Sequence, residues 1–257
     1  MNKSKSKQLI RILLLVGTII SLYFVPWPIV TAWIKPLPNT VQEQVNKATD
    51  YGFDGIIVYI DKVGMSPEFY TAGYKNRETK TPADPKSLFK IASVSKLYTA
   101  VAIAKLVNNG RLSLSKTLAD YFPELIGRIE NADKITIKMM VQHRSGIPNY
   151  TDTKNYWIAP KQNDKERLNL ILDLPATANP DEKFEYSNTN YLLLSMLIEK
   201  VTGKSKFQYI KEEILDPLNL KNTFGSIQDV NLDDVMSGYY VGYENDLKTD
   251  NNGVMLA

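Results

Sequence analysis

Apolar residues along the chain form one long uncharged run, two short β-rich runs and several apolar helical blocks, and each predicts an element. The uncharged run is Ile12 to Ile34, "ILLLVGTIISLYFVPWPIVTAWI". Its length suits a single transmembrane helix, with Trp27 and Trp33 as interface anchors. "KPLPNT" is a Pro-rich exit from it, and "VQEQVNKATDYG" then predicts an amphipathic helix. "GIIVYIDKVG" and "PEFYTAGYKN" are rich in β-branched and aromatic residues and are split at Gly64, which predicts a hairpin. Leu97 to Val107 is nearly all apolar, has no polar face and closes on Gly110, so it predicts a helix buried all round. "ITIKMMVQHRSGIPNY" starts as a short helix or strand and ends in a Gly/Pro loop, and "DKERLNLILDL" is a helical run inside a long polar segment. Tyr191 to Val201 is a second strongly apolar helix, stopped by Gly203, and "KFQYIKEEILDPLNL" is a third helix, ended at Pro217. Strands in front with helices grouped behind indicate α+β or α/β packing.

Charge refines the front of the chain. Lys3, Lys5, Lys7 and Arg11 precede the uncharged run, and taking these four from the 31 basic residues leaves 27 against 28 acidic ones. The body is therefore close to neutral and offers no electrostatic footprint for nucleic acid. Ahead of a span, the same four charges put the N-terminus in the cytoplasm and everything after Lys35 outside it. A signal peptide cleaved near Pro26 is the alternative, and it exports the body equally. The expected organisation is a basic prefix and anchor over residues 1–35, held in the membrane through residues 12–34, and one domain over residues 36–257. With no cysteine there is no disulfide, thiolate metal site or cysteine nucleophile, and the single histidine, His143, rules out a multi-histidine metal site. No metal or organic cofactor is implied.

Two polar clusters sit at the mouths of the two apolar helices. Ser93 and Lys96 are three residues apart, hence on one helix face about a turn apart. A serine hydroxyl is a weak nucleophile that needs a nearby base, and a lysine kept from water shifts toward its neutral, proton-accepting form. The Ser-x-x-Lys spacing also occurs at Ser4, Ser87 and Ser113, but the Ser93 copy alone opens an apolar helix; Ser87 and Ser113 are expected to be exposed. The bland alternative has Ser93 capping the helix and Lys96 snorkelling to the surface. In "FEYSNTNY", Tyr186 and Asn188 alternate, so in extended chain a phenol and an amide face one side. Tyr-x-Asn recurs at Tyr74 and Tyr243, and the alternative here is a packed tyrosine in a helix-capping loop.

Taken in order, "LFKIASVSKLYTAVAIAKLVNNGRLSLSKTLADYFPEL", "MVQHRSGIPNY", "FEYSNTNYLLLSMLIEKVTG" and "EILDPLNLKNT" resemble the class C β-lactamase and D-alanyl-D-alanine carboxypeptidase family of serine hydrolases. The resemblance runs from about Gly52 to the last residue. It implies a β-lactamase/transpeptidase-like αβ sandwich, an antiparallel sheet with flanking helices, plus a helical lobe with the active site between them. It also implies Ser93 as the acylated nucleophile, Lys96 as its proton partner, Tyr186 as the general base and Asn188 as a ligand for the substrate amide. Which of Lys96 and Tyr186 takes the serine proton stays open. Substrates on this reading are D-alanyl peptides, β-lactams, or simple amides and esters. "HRSG" stands where relatives often carry His-Thr-Ser-Gly, so His143 is expected to shape a turn beside the site, with proton transfer as the alternative; Arg144 has no account at this level. Tyr150, Tyr156 and Trp157 are expected to cover the helical lobe, with lining of a substrate cleft as the alternative.

One departure is visible. The family's third element, a Lys or His, then a small residue, then Gly, on a strand beside the site, has no match, and the sequence ends on "NNGVMLA". The expectation is a domain lacking its C-terminal strands, with a catalytically impaired, membrane-held sensor of cell-wall peptides or β-lactams as the alternative to an enzyme.

Overall fold

The computed structural model describes residues 3–154, 156 and 163–239. Trp157, Tyr243 and the C-terminal "NNGVMLA" lie outside the described residues. Two compact units are present: Met1–Tyr74 with Pro82–Pro85, and Lys75–Thr81 with Lys86–Ala257.

The first unit opens with helices α1 (Lys3–Tyr23) and α2 (Trp27–Ile34). The single span expected over Ile12–Ile34 is thus two helices: no single helix among the described residues is long and apolar enough to cross a membrane. Ile10–Tyr23 and Trp27–Ile34 meet that test of length and composition only as a pair, bent by 80°. Pro26 gives the reason. It carries no N–H, and its ring clashes with the carbonyl four residues back, so the helix ends ahead of it. The carbonyl released there, on Leu22, accepts from the Trp27 indole at 3.0 Å, which fastens the elbow.

Helix α3 (Val41–Ala48) begins at a capping box in which Thr40 and Glu43 satisfy each other's backbone N–H. It buries Val45 and packs on strand β1 (Gly55–Ile60). The expected hairpin is present: β1 pairs antiparallel with β2 (Glu68–Asn76), Gly55 opposite Gly73. Gly73 has φ 70° and lies so close to the Asp54 carbonyl that a Cβ could not fit. A short edge strand β3 (Thr81–Pro82) completes the order β1-β2-β3.

The second unit is helical. It contains α4 (Ser95–Asn108), α5 (Leu118–Tyr121), α6 (Ile137–Val141), α7 (Asp164–Asn169), α8 (Asn188–Thr202) and α9 (Lys206–Ile210), the last continued by a π-turn over Lys211–Leu215 ahead of Pro217. Helix α8 is its axis and packs on α4, α6, α7 and α9. Leu193, Leu194, Leu197 and Ile198 meet Ala102, Ile103 and Leu106 of α4 and Ile137 and Met140 of α6 in one core. Gly203, at φ 72°, ends α8 in the left-handed conformation that its sequence position predicts.

Helix α4 corrects one expectation. It buries one face, through Thr99, Ala102, Ile103 and Leu106, whereas Leu97 is 64% and Val101 38% exposed. Its burial follows the direction of α8 and α9; an apolar composition permits burial and does not impose it. Tyr150 is buried in the core with Tyr156 edge-on at 5.2 Å, the lobe-covering arrangement.

Candidate active site

The four residues singled out from the sequence meet in the second unit. Ser93 lies in a 3-10 turn, Ala92–Val94, that runs directly into α4. Ala92 has φ 43°, a strained conformation for a residue with a Cβ, one position ahead of the serine. Lys96, in the first turn of α4, reaches back so that its Nζ donates to Ser93 Oγ at 3.2 Å and to Asn188 Oδ1 at 2.8 Å. Ser93 Oγ and Tyr186 Oη are 2.8 Å apart. Ser187 is extended (φ −141°, ψ 122°), so Tyr186 and Asn188 share a side as the alternation predicts, with Asn188 already the first residue of α8.

Asn188 is held by groups that sequence reasoning missed. Asn149 Oδ1 accepts from the Asn188 backbone N–H at 2.9 Å and from its Nδ2 at 3.2 Å, and Thr151 Oγ1 accepts from the same Nδ2 at 3.2 Å. With both amide donors directed at Asn149 and Thr151, the carbonyl oxygen is aimed at Lys96. The Asn188 side chain is therefore engaged within the protein, and its observed partner is the lysine. Pro148 is tied to the same helix end, its carbonyl accepting from Thr189 Oγ1 at 2.6 Å.

The strand-like approach to Tyr186 is zipped to the "HRSG" turn. Thr177 N–H donates to Gly146 O at 2.9 Å, Asp181 N–H to Arg144 O at 2.8 Å and Glu185 N–H to His143 O at 2.8 Å. Arg144, unexplained in the sequence, pairs through its guanidinium with Asp181 across this zipper. Gly146 is required there: at φ 72°, any Cβ would run into the Ala178 carbonyl. His143 lies beside the site as the turn expectation requires, buried, with its ring stacked on Tyr186 at 4.5 Å between centroids.

Electrostatics bear on Tyr186. Partial burial pushes its phenol up, but Lys96 and the Ser93 hydroxyl act the other way and the net shift is downward. Lys96 Nζ also stands 5.1 Å from the Tyr186 ring centroid and 5.8 Å from that of Tyr191. The arrangement can polarise a serine hydroxyl between a cation and an acidified phenol. Among the described residues, no group of three or more His, Asp or Glu could hold a metal ion.

The other Ser-x-x-Lys copies are arranged differently. Ser113 Oγ bonds to Ser115 Oγ at 2.9 Å. Ser87, expected to be exposed, is buried, with a hydroxyl that has no hydrogen-bond partner. The neighbouring Leu88 is bridged to Val235, and the Ser87 side chain is withdrawn from water despite polar neighbours in sequence.

Residues 40–254 match the protein family described as Beta-lactamase. The chain belongs to this family. Its fold is accordingly β-lactamase/transpeptidase-like, with helices and an antiparallel sheet. The chain is 32% identical to Protein flp of Staphylococcus aureus (strain MW2) over 200 residues, 73% of this chain and 39% of that protein. It is similar to the octameric penicillin-binding protein homologue from Pyrococcus abyssi at TM-score 0.66 and 32% identity, covering 78% of this chain and 47% of the other. It is similar to the D-amino acid amidase from Ochrobactrum anthropi SV3, solved with L-phenylalanine amide, at TM-score 0.68 and 25% identity, covering 77% and 56%. The chain thus spans 39% to 56% of the length of these relatives.

Proposed function

We propose that the chain is a serine hydrolase that cleaves amides or esters through an acyl-enzyme on Ser93, with D-alanyl peptides, β-lactams and related small acyl compounds as its substrate class. The single observation that carries this reading is the exposed Ser93 hydroxyl, 2.8 Å from Tyr186 Oη with Lys96 Nζ donating to it at 3.2 Å. Because Lys96 donates to Oγ, the serine's own proton is directed to Tyr186. The phenol, shifted toward its anionic form, takes that proton as Oγ bonds to the substrate carbonyl carbon. Tyr186 then returns the proton to the leaving amine or alcohol as the bond to it breaks, and water releases the acyl group. Lys96 stabilises the phenolate, and Asn188 holds Lys96. The likeness to an amidase and a penicillin-binding protein homologue supports amide chemistry, and the Tyr-x-Asn element supports kinship with class C β-lactamases and D-alanyl-D-alanine carboxypeptidases.

Intact-mass and peptide-mapping analysis after incubation with a fluorescent penicillin tests the reading. The expected adduct maps to Ser93 and decays with release of product. An adduct on another residue overturns the nucleophile assignment, and one that never decays replaces hydrolysis by capture, the sensor reading.

We further propose that the bent α1–α2 pair holds the body at the outer face of a membrane, with the basic prefix inside. The uncharged run behind four positive charges supports this. The full chain is expected in the membrane fraction, and a chain lacking residues 1–35 in the soluble one; equal partitioning of both rejects the anchor.

A further inference from the structure

We propose that His143 is a positioning residue for Tyr186, kept neutral and stacked on the phenol by a buried hydrogen-bond chain, and that its protonation adds an acid limb to Ser93 acylation, distinct from that of Tyr186 itself. The inference rests on the reading of Tyr186 as the acceptor of the serine proton.

The chain begins at a backbone donor. Ile147 backbone N–H, which can only donate, gives its hydrogen to Ser145 Oγ at 3.1 Å, and Ser145 Oγ donates to Asn190 Oδ1 at 2.6 Å. With its oxygen committed, Asn190 presents Nδ2, a donor, to His143 Nδ1 at 3.5 Å. Ser187 backbone N–H donates to the same nitrogen at 3.2 Å. Both groups facing Nδ1 are therefore donors, and the Ser187 N–H, a backbone group, cannot become an acceptor. The neutral ring carries its proton on Nε2, and an imidazolium would set an Nδ1–H against two other N–H groups. Ser145, Ser187 and Asn190 are at most 1% exposed, so water does not repair that clash.

The remaining neighbours also disfavour a charge. Lys96 of α4 is a cation whose field opposes a second one, and with burial, the larger cause, it lowers the pKa of His143. Tyr191 of α8 packs at 5.0 Å and its phenol donates to Val141 O at 3.1 Å, so it offers no anion. The flanking charges are engaged elsewhere, Arg144 with Asp181 and Glu185 with Thr177 and Lys183. The ring lies 29° from parallel to Tyr186, and Phe184 closes it edge-on at 5.9 Å. Tyr186 itself is 42% exposed, so this stack is a principal restraint on where its oxygen stands.

Because the chain has one histidine, its imidazole gives one resonance to follow in the full chain. The 15N shifts are expected to report the Nε2–H tautomer, and the titration midpoint is expected below that of free histidine. One acid limb of the acylation rate should coincide with that midpoint to within about half a pH unit, against ordinary histidine scatter of about one unit. Asn190→Asp replaces the facing donor by a carboxylate and should move both midpoints upward together. Should that buried substitution fail to fold, Ser145→Ala frees the Asn190 amide to turn and should move both upward by less. His143→Asn keeps an acceptor and tolerates the positive φ but lacks the ring; it should slow acylation at saturating substrate about tenfold or more and remove the histidine limb. An Nδ1–H tautomer, or the lack of any limb that moves with the histidine midpoint, overturns the inference. A wild-type chain that never acylates at any pH overturns the hydrolase reading instead, while the tautomer still tests the hydrogen-bond chain.

Discussion

Ser87 and Ser93 carry the same Ser-x-x-Lys spacing six residues apart, and their surroundings are nearly opposite. Ser87 lies outside any helix, next to Leu88, whose N–H bonds to Asp234 O at 2.8 Å. Its hydroxyl is buried without a partner. Ser93 lies at a helix mouth, with its hydroxyl exposed and bonded to both Lys96 and Tyr186. Burial lowers the pKa of Lys90, the lysine of the Ser87 copy. A partly buried lysine at the right spacing is therefore present beside a serine hydroxyl that it does not bond. What distinguishes the Ser93 copy is the second cluster, brought to it from 93 residues away by the packing of α8 on α4.

Separate substitution of the two serines gives the largest expected effect. Ser93→Ala should abolish covalent labelling by an acylating probe, and Ser87→Ala should leave it intact; equal loss in both would dissolve the contrast. Next in size is Tyr186→Phe, which keeps the stack on His143 but removes the proton acceptor. Its acylation rate should fall by about 10²–10⁴, the usual range for a lost general base. Full activity in stopped-flow acylation would return that role to Lys96.

Asn149→Ala tests whether Lys96 depends on the amide behind it. Loss of two hydrogen bonds to Asn188 should cost about 1–3 kcal/mol of stability in a urea titration, and should slow acylation while leaving Ser93 the labelled residue. A smaller effect follows from His143. Its folded pKa lies below the ordinary 6.5, so the unfolded chain binds more protons on acidification. Its contribution to stability is complete above 6.5 and fades as the pH falls through that value toward the folded one. The urea midpoint should drop on going from about pH 7.5 to 5.5, where histidine titrates, and drop less in His143→Asn. Smallest of all, Ser87→Ala removes a buried hydroxyl that makes no bond, and should change stability by no more than about 1 kcal/mol, upward. A clear loss of Tm there would mean that Ser87 has a partner after all.

Much of the helical unit was legible because its signals are local. The apolar block and Gly203 mark α8, and the alternation of Tyr186 and Asn188 survives because Ser187 is extended. The α4 block was misread as buried all round, since hydrophobicity along a helix says nothing of which neighbours it meets. The span over Ile12–Ile34 was misread as one helix because a hydropathy run does not register the missing N–H of Pro26, although the proline itself was in view. Ser87 was misread as exposed because polar neighbours in sequence are not neighbours in space.

By itself, then, the sequence determined the hairpin, the α8 stop, and the Ser93–Lys96 and Tyr186–Asn188 pairs, each carried by residues close together along the chain, and the order of these motifs pointed to the family. Tertiary structure alone decided the rest: the Asn149 and Thr151 supports of Asn188, the Arg144–Asp181 clamp, and the hydrogen-bond chain from Ile147 to His143. Apart from the local Ile147–Ser145 bond, those contacts join residues 37 to 47 positions apart. A hydrogen bond across such a separation leaves no periodicity behind; it exists only once helices with separate reasons to form have packed.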